Sequence, residues 1–276
     1  MKVLMCTGGS RFAEDAIKFG IRLVKNASPE ITLFSVIEKK VSVEKPEEAI
    51  ERAAHIIKEN GFTPEIKTKE GFVTEEIIKE AKDGSYDLVV IGSHGQRSSL
   101  IGVSEFLLGA EAYRVIRYCK TSVLVVKESK SFNKVLFTTD GSECAEKAID
   151  FGADLLQGTK TSVTIIHVIP AFVEHFKDYL EPVASDLLEI LKTLPRREAW
   201  RLDRSKDIFK KYGIVAERKV REGDAAEEIL KESERYDMIV MGSLGRKSSG
   251  KFIMGDVSSN VVTHAKKPVL LYRSKP

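Results

Sequence analysis

Residues 86–95 read YDLVVIGSHG, and residues 236–245 read YDMIVMGSLG. In both stretches an unbroken apolar run ends in a Gly-x-x-Gly turn. Short apolar runs of this kind favour strands that are buried on both faces, as in parallel sheets covered by helices. A long motif that recurs within one chain predicts two copies of one structural unit.

The similarity extends outward from these two stretches. Residues 9–20 (GSRFAEDAIKFG) match residues 141–152 (GSECAEKAIDFG), and the matches keep their order and nearly their spacing. We therefore predict two tandem domains, residues 1–128 and residues 133–276, with the polar stretch Glu128–Ser131 between them. In each copy apolar strands alternate with helical patterns, which predicts an α/β fold: a Rossmann-like, five-stranded parallel sheet with helices on both faces.

The second copy shows this alternation in detail. Apolar runs and period-2 patterns predict strands over Lys134–Thr139, Ser162–Ile169, Val215–Val220, Met238–Met241 and Pro268–Tyr272. Helical spacing predicts helices over Ala145–Leu156, Leu187–Tyr212 (interrupted by Pro195), Ala226–Ser233 and Val257–His264. Ligands of such sheets bind beyond the carboxyl ends of the strands, where the strand order reverses. We therefore expect a site at the turns after the first, second and fourth strands of each copy.

Composition excludes several classes of function. The chain has 276 residues, 42% hydrophobic and 31% charged, with a formal net charge of +3. So small a charge predicts no nucleic-acid partner, and no apolar run approaches the roughly 20 residues of a membrane helix. The three cysteines form no CxxC pair, and the first apolar run is too short for a signal-peptide core. We therefore expect a cytoplasmic protein with neither a disulfide framework nor a metal site.

A glycine pattern in the second copy carries a family resemblance. Gly242-Ser243-Leu244-Gly245 is followed, after nine residues, by Gly255-Asp256; Asp140-Gly141-Ser142 follows the first strand, and His167-Val168 ends the second. Together these motifs resemble those of the universal stress protein family, and the resemblance covers nearly the whole chain. It implies tandem domains of the adenine nucleotide alpha hydrolase-like fold.

The resemblance also implies a ligand, which is AMP or ATP, with Mg²⁺ as a companion of ATP. The residues that correspond in the second domain are Thr139, Asp140, Val168, Met241, Gly242, Gly245, Gly255, Asp256, Val257 and Ser258. Asp140 and the backbone of Val168 would hold adenine, while residues 241, 242 and 245 would line the ribose and the α-phosphate. Residues 255–258 would offer backbone N–H groups to phosphate at the start of a helix.

This sequence departs from the family pattern at Asp256, which stands where ATP-binding members have Ser or Thr. An ionised carboxylate cannot donate a hydrogen bond, and it repels the outer phosphates unless a divalent cation lies between them. The alternative is that Asp256 is a helix N-cap.

The first copy departs further from the pattern. Gly8 replaces the aspartate after the first strand, the spacing from Gly95 to Gly109 is four residues longer, and Ala110 replaces the hydroxyl. We therefore expect binding to be strongest in the second domain. The weaker candidate set of the first domain is Thr7, Val36, Ile91, Gly92, Gly95, Gly109 and Ala110. His94, in the glycine turn, is a further possible contact or a structural residue.

Three functions compete at this point. The first is an adenine-nucleotide-binding protein with a regulatory or stress-response role; the second is a slow metal-dependent ATPase that uses Asp256; the third is a scaffold that binds no nucleotide. No catalytic set stands out, and Gly245–Phe252 misses a P-loop because Phe252 cannot ligate Mg²⁺. Family members pair their last strands, so Ser122–Val126 and Val269–Tyr272 are expected to pair as a pseudo-dimer within the chain. A homodimer of whole chains is a second expectation, and the sequence does not identify a protein partner.

Overall fold

The structure is a computed structural model. It describes residues 1–38, 46–95, 108–127, 132–170, 200–244 and 254–274. The predicted linker Glu128–Ser131 and the first part of the predicted helix Leu187–Tyr212 lie outside these ranges.

Strands and helices alternate along both halves of the chain. The first half contains β1 (Lys2–Thr7), α1 (Arg11–Val24), β2 (Glu30–Ile37), α2 (Pro46–Glu59), β3 (Glu65–Glu70), α3 (Val73–Asp83), β4 (Leu88–Gly92), α4 (Ala110–Tyr118) and β5 (Ser122–Val126). The second contains β6 (Lys134–Thr138), α5 (Glu143–Leu156), β7 (Ser162–Ile169), α6 (Trp200–Lys211), β8 (Ala216–Glu222), α7 (Ala225–Ser233), β9 (Met238–Gly242), α8 (Asp256–His264) and β10 (Val269–Tyr272). Within the described ranges, no helix has the length and apolar character needed to cross a membrane.

The strands form one ten-stranded sheet in the order β3-β2-β1-β4-β5-β10-β9-β6-β7-β8. Neighbouring strands within each half are parallel. The two halves meet at an antiparallel pair of last strands, where Val125 lies opposite Val269 and Leu124 opposite Leu270. The predicted pairing of the last strands is confirmed, and it removes the exposed apolar edge that each half would otherwise present.

Both faces of the sheet are covered by helices. Successive residues of a strand point to opposite faces, so Val3 and Met5 join one hydrophobic cluster and Leu4 and Cys6 the other. Helices α1, α2, α5 and α6 contribute to the first cluster, and α3, α4, α7 and α8 to the second. The predicted α/β architecture with two-sided helical cover is therefore confirmed.

Local capping shifts one predicted boundary. Helix α5 begins at Glu143, two residues before the predicted start at Ala145. The hydroxyl oxygen of Ser142 accepts a hydrogen bond from the backbone N–H of Ala145 at 3.2 Å, which makes Ser142 the N-cap. Ser10 caps α1 in the same way through Ala13, so this feature belongs to the repeat.

Candidate functional site

The candidate site of the second half lies at the carboxyl ends of β6, β7 and β9. Strand β6 lies between β7 and β9, and the chain leaves it towards β7 before it returns on the other side to β9. The strand order therefore reverses at β6, which opens the kind of crevice where ligands of parallel sheets bind.

The turn after β6 is held by short-range hydrogen bonds. The Thr139 N–H donates to Ile166 O at 3.0 Å, and the Thr139 hydroxyl oxygen accepts from Gly141 N at 3.1 Å. The φ of Gly141 is +74°, a left-handed conformation that suits glycine. Asp140 is half-buried, and its Oδ1 accepts from Ser142 N at 2.9 Å. These bonds hold the Asp140 carboxylate beyond the carboxyl end of β6.

His167 adds a support that the sequence analysis did not include among the site residues. Its side chain is buried, and its Nδ1 lies 2.7 Å from Thr139 O. A carbonyl oxygen can only accept, so Nδ1 carries the proton. The His-Val dipeptide was visible in the sequence as part of the family resemblance. That His167 bonds to Thr139 O, however, depends on the register of β7 against β6. His167 thereby ties the end of β7 to the turn that carries Asp140, and the next residue, Val168, is half-buried at the same edge.

Ser243 organises the turn after β9. Its N–H donates to Tyr272 O at 3.0 Å, and its carbonyl oxygen accepts from Gly255 N at 2.9 Å. The buried hydroxyl of Ser258 lies 3.0 Å from the same carbonyl and 2.9 Å from Gly255 O. Ser243 therefore joins the end of β9 to the start of α8. Its recurrence as Ser93 in the first repeat was a signal that could have identified it.

The first glycine of this turn is required by packing. A Cβ atom built on Gly242 would lie 3.1 Å from both the carbonyl oxygen and the Sγ of Cys144. The glycine thus lets β9 approach the first turn of α5 closely. Met241 is buried in the core, so only its backbone can reach the crevice. Gly245 lies outside the described residues.

Helix α8 begins beside this turn. Gly255 is its N-cap, with φ −64° and ψ 153°, and no side chain makes a capping hydrogen bond there. Asp256 is the first helical residue, so the interpretation of Asp256 as the N-cap is wrong. Asp256 and Val257 are exposed, whereas Ser258 is buried. The N–H groups of these three residues have no acceptor within the helix, and they lie at the positive end of its dipole.

The first repeat shares part of this framework. Gly9 N donates to the Thr7 hydroxyl at 3.3 Å, and Gly109 N donates to Ser93 O at 2.9 Å. Gly109 is the N-cap of α4, as Gly255 is of α8. These features are common to both repeats, whereas the bonds of Asp140, His167 and Ser258 are made where the first repeat has Gly8, Ser35 and Ala112.

The candidate residues of the first repeat are less suited to a ligand. Gly8 has no side chain to correspond to Asp140, and Ala110 is exposed without a polar group. Ile91 is buried in the core, Val36 is half-buried, and Gly95 is exposed. The structure thus retains the turn in the first repeat without its carboxylate.

His94 takes the place of Leu244 in the first repeat and is part of the core. Its Nδ1 lies 3.0 Å from the Ser93 hydroxyl, and its ring centroid lies 5.0 Å from that of Phe12. Burial lowers the pKa of His94, and the nearby Lys127 ammonium lowers it further. We therefore describe His94 as a neutral, structural residue.

Comparison with known proteins identifies a family. The profile of the universal stress protein family matches residues 1–127 and again residues 131–273. A universal stress protein of Synechocystis is 21% identical over 312 residues, covering 98% of this chain and 99% of its own length. One of Bacillus subtilis is 28% identical over 158 residues, covering 51% of this chain and 99% of its own length. The crystal structure of a universal stress protein from Archaeoglobus fulgidus has a TM-score of 0.70 at 21% identity, covering 99% of this chain and 98% of that one.

Proposed function

This chain belongs to the universal stress protein family, and we propose that it binds an adenine nucleotide, AMP or ATP, most tightly in its second repeat. The observation that carries the proposal is the contrast between the corresponding turns of the two repeats. Asp140 places a carboxylate beyond the carboxyl end of β6 in the second repeat, whereas the first repeat has Gly8 at that position.

The chemistry of adenine fits the second crevice. The exocyclic amino group of adenine is a donor, and a carboxylate is a pure acceptor. The last residue of β7 that pairs with β6 is Ile166, opposite Thr138. Backbone groups of a strand alternate between its two edges, so the backbone of Val168 faces the same edge as Ile166 but beyond the end of β6. Asp140 and this backbone together can hold and orient the base.

The phosphates fit the start of α8. Backbone N–H groups of Asp256, Val257 and Ser258 point out of the helix start, where the dipole favours an anion. Gly255 and Ser258 are both hydrogen-bonded to Ser243, so this helix start is held in place before any ligand arrives. A preorganised site of this kind binds with a smaller loss of conformational entropy.

A regulatory or stress-response role in the cytoplasm completes the proposal. A thermal shift of the whole chain with AMP, ADP and ATP distinguishes it from the scaffold that binds no nucleotide, because only a bound ligand raises the melting temperature. Conversion of labelled ATP to ADP would instead support the slow metal-dependent ATPase that uses Asp256.

The identity of residue 256 predicts which nucleotide is preferred. Asp256 does not serve as the N-cap, and its carboxylate is exposed at the helix start to which this proposal assigns the phosphates. In EDTA we expect AMP to bind at least as tightly as ATP, because AMP brings less negative charge near Asp256. Asp256→Ser should improve the affinity for ATP by roughly three- to tenfold relative to AMP, after screening by salt. Isothermal titration calorimetry measures both affinities.

A matched control separates local from global charge. Asp154→Ser removes one exposed carboxylate near the C-terminus of α5, the end of that helix away from Asp140. It should leave the ratio of the ATP and AMP affinities unchanged. Excess Mg²⁺ should reduce the preference for AMP in the unmodified chain, because the cation compensates the charge. Tighter binding of ATP than AMP in EDTA, with no effect of Asp256→Ser, would overturn this prediction.

A further inference from the structure

Lys127 is a buried lysine that crosses the seam between the repeats. It follows β5 in the first half, and its side chain is only 2% exposed. Its Nζ donates to Thr263 O at 2.9 Å and to Ala265 O at 2.5 Å. These carbonyls belong to the end of α8 in the second half, where helix geometry leaves them without N–H donors from the helix itself. An ammonium group here also complements the negative end of the helix dipole.

Arg273 makes the reciprocal contact. It follows β10, as Lys127 follows β5, and its guanidinium is buried. It donates to the backbone oxygen of Ile116 and lies 3.5 Å from that of Arg117, both at the end of α4 in the first half. Each repeat therefore sends one cation across the antiparallel seam to the last helix of the other. The contact is a property of the paired repeats and would be absent from either half alone.

The helix that Lys127 contacts is the one whose other end forms the phosphate site. Gly255 and Ser258 lie at the start of α8, and Ala265 follows its last residue. We infer that Lys127 is a positioning residue: from the first repeat it holds α8 in place across the seam and so supports the nucleotide site of the second repeat. This inference rests on the proposed function, which it extends to a dependence of one repeat on the other.

The protonation state of Lys127 makes the contact sensitive to pH. Burial lowers the pKa of Lys127 to about 8. His94 faces it from the turn after β4, as the effect of Lys127 on the pKa of that histidine shows. Lys267 comes opposite it when the β5–β10 register is continued, and His264 ends α8. Loss of the proton above pH 8 replaces charge-assisted hydrogen bonds with weaker neutral ones.

Three variants test the inference by titration with AMP. Lys127→Met keeps the length of the side chain without its donors, and we expect it to weaken binding roughly three- to tenfold. Lys127→Arg should restore the affinity, since an arginine already occupies the equivalent position at residue 273. Arg273→Met, the matched control, acts on α4 and should leave binding in the second repeat within about twofold of the unmodified chain.

The pH profile gives a readout that simple packing would not change. The affinity of the unmodified chain should fall a few-fold between about pH 7 and pH 9.5, whereas that of Lys127→Arg should stay flat, because arginine does not titrate there. The folded-state pKa of Lys127 lies below its ordinary value of 10.5, so the unfolded chain binds more protons between these two values. The free energy of unfolding of the unmodified chain should therefore rise, relative to Lys127→Met, from about pH 8 to pH 10.5.

Hydrogen exchange keeps the inference separate from the proposed function. In the ligand-free chain, Lys127→Met should accelerate exchange of amides bonded to α8 carbonyls or caps, such as those of Ser259 and of the C-cap Ala265, at least tenfold, and Arg273→Met should not. If no nucleotide binds but this pattern holds, the proposed function fails and the positioning of α8 stands. Unchanged exchange in α8, or equal loss of AMP affinity in Lys127→Met, Lys127→Arg and Arg273→Met, would overturn the inference.

Discussion

Replacing Asp140 with asparagine should weaken adenine nucleotide binding by roughly 5- to 150-fold, which corresponds to about 1–3 kcal/mol for a buried polar group left without its partner. Asparagine can still accept from Ser142 N through its Oδ1, so it preserves the turn. Its amide nitrogen is a donor, however, and it would face the donor amino group of adenine where the carboxylate oxygen was. Calorimetric titration with AMP measures the loss.

The first repeat offers the reciprocal experiment. A Cβ atom built on Gly8 meets no atom within 4 Å, so Gly8→Asp can be accommodated and would supply the carboxylate that this repeat lacks. We expect it to increase the affinity of the first repeat for AMP.

The control for Asp140→Asn is its stability: the variant should have a melting temperature close to that of the unmodified chain. Unchanged AMP affinity in a folded Asp140→Asn variant would show that Asp140 does not contact adenine.

Replacing Gly92 with alanine should be among the most destabilising single changes at either site. A Cβ atom at Gly92 would lie 2.7 Å from the backbone carbon and oxygen of Phe12 and 2.9 Å from Ala13 N. Neither partner is a flexible side chain, so β4 and α1 would have to move apart. Overpacking of this kind costs typically 1–3 kcal/mol and sometimes more, and we expect about 2–4 kcal/mol for Gly92→Ala by urea denaturation.

The equivalent position in the second repeat supplies the comparison. At Gly242 the nearest contacts are 3.1 Å, to Cys144, so Gly242→Ala should cost less, about 1–2 kcal/mol. Gly8→Ala is the control, because its new methyl group enters open space. If Gly242→Ala destabilised the chain as much as Gly92→Ala, the glycines of the two turns would not be explained by the closeness of strand and helix.

Much of the fold follows from patterns that the sequence carries locally. The unbroken apolar runs at residues 88–91 and 238–241 predicted strands buried on both faces, and both are central strands of the sheet. The family resemblance, together with the apolar character of the last strands, predicted that they pair, and β5 and β10 do pair. That pairing also merges two predicted five-stranded sheets into one sheet of ten strands, which follows from the two expectations taken together.

The hydrogen bonds around the candidate site were harder to predict. The bond from His167 to Thr139 depends on the register of β7 against β6, and the bond from Ser258 to Ser243 joins residues 15 positions apart in the sequence. Neither spacing has a local signature. Asp256 was open to two interpretations, a helix N-cap or a residue near the phosphates, because the sequence pattern is the same in both. Only the backbone conformation shows that Gly255 is the N-cap.

The glycine motif has the same limitation. Its recurrence in both repeats is equally compatible with ligand binding and with packing, and the contacts of Gly92 and Gly242 show that close packing is sufficient reason for a glycine there. Differences between the repeats are more informative about ligands than their similarities. Asp140 against Gly8 is such a difference, since the bond from the glycine N–H to the threonine hydroxyl occurs in both turns.

The most direct test of the central claim is the number of nucleotides that the unmodified chain binds. Isothermal titration of AMP into the whole chain should reveal one tight site per chain, because only the second repeat combines the Asp140 carboxylate with the free N–H groups at the start of a helix. Two equivalent tight sites per chain, or no binding at all, would contradict the proposal that the second repeat is the nucleotide-binding unit.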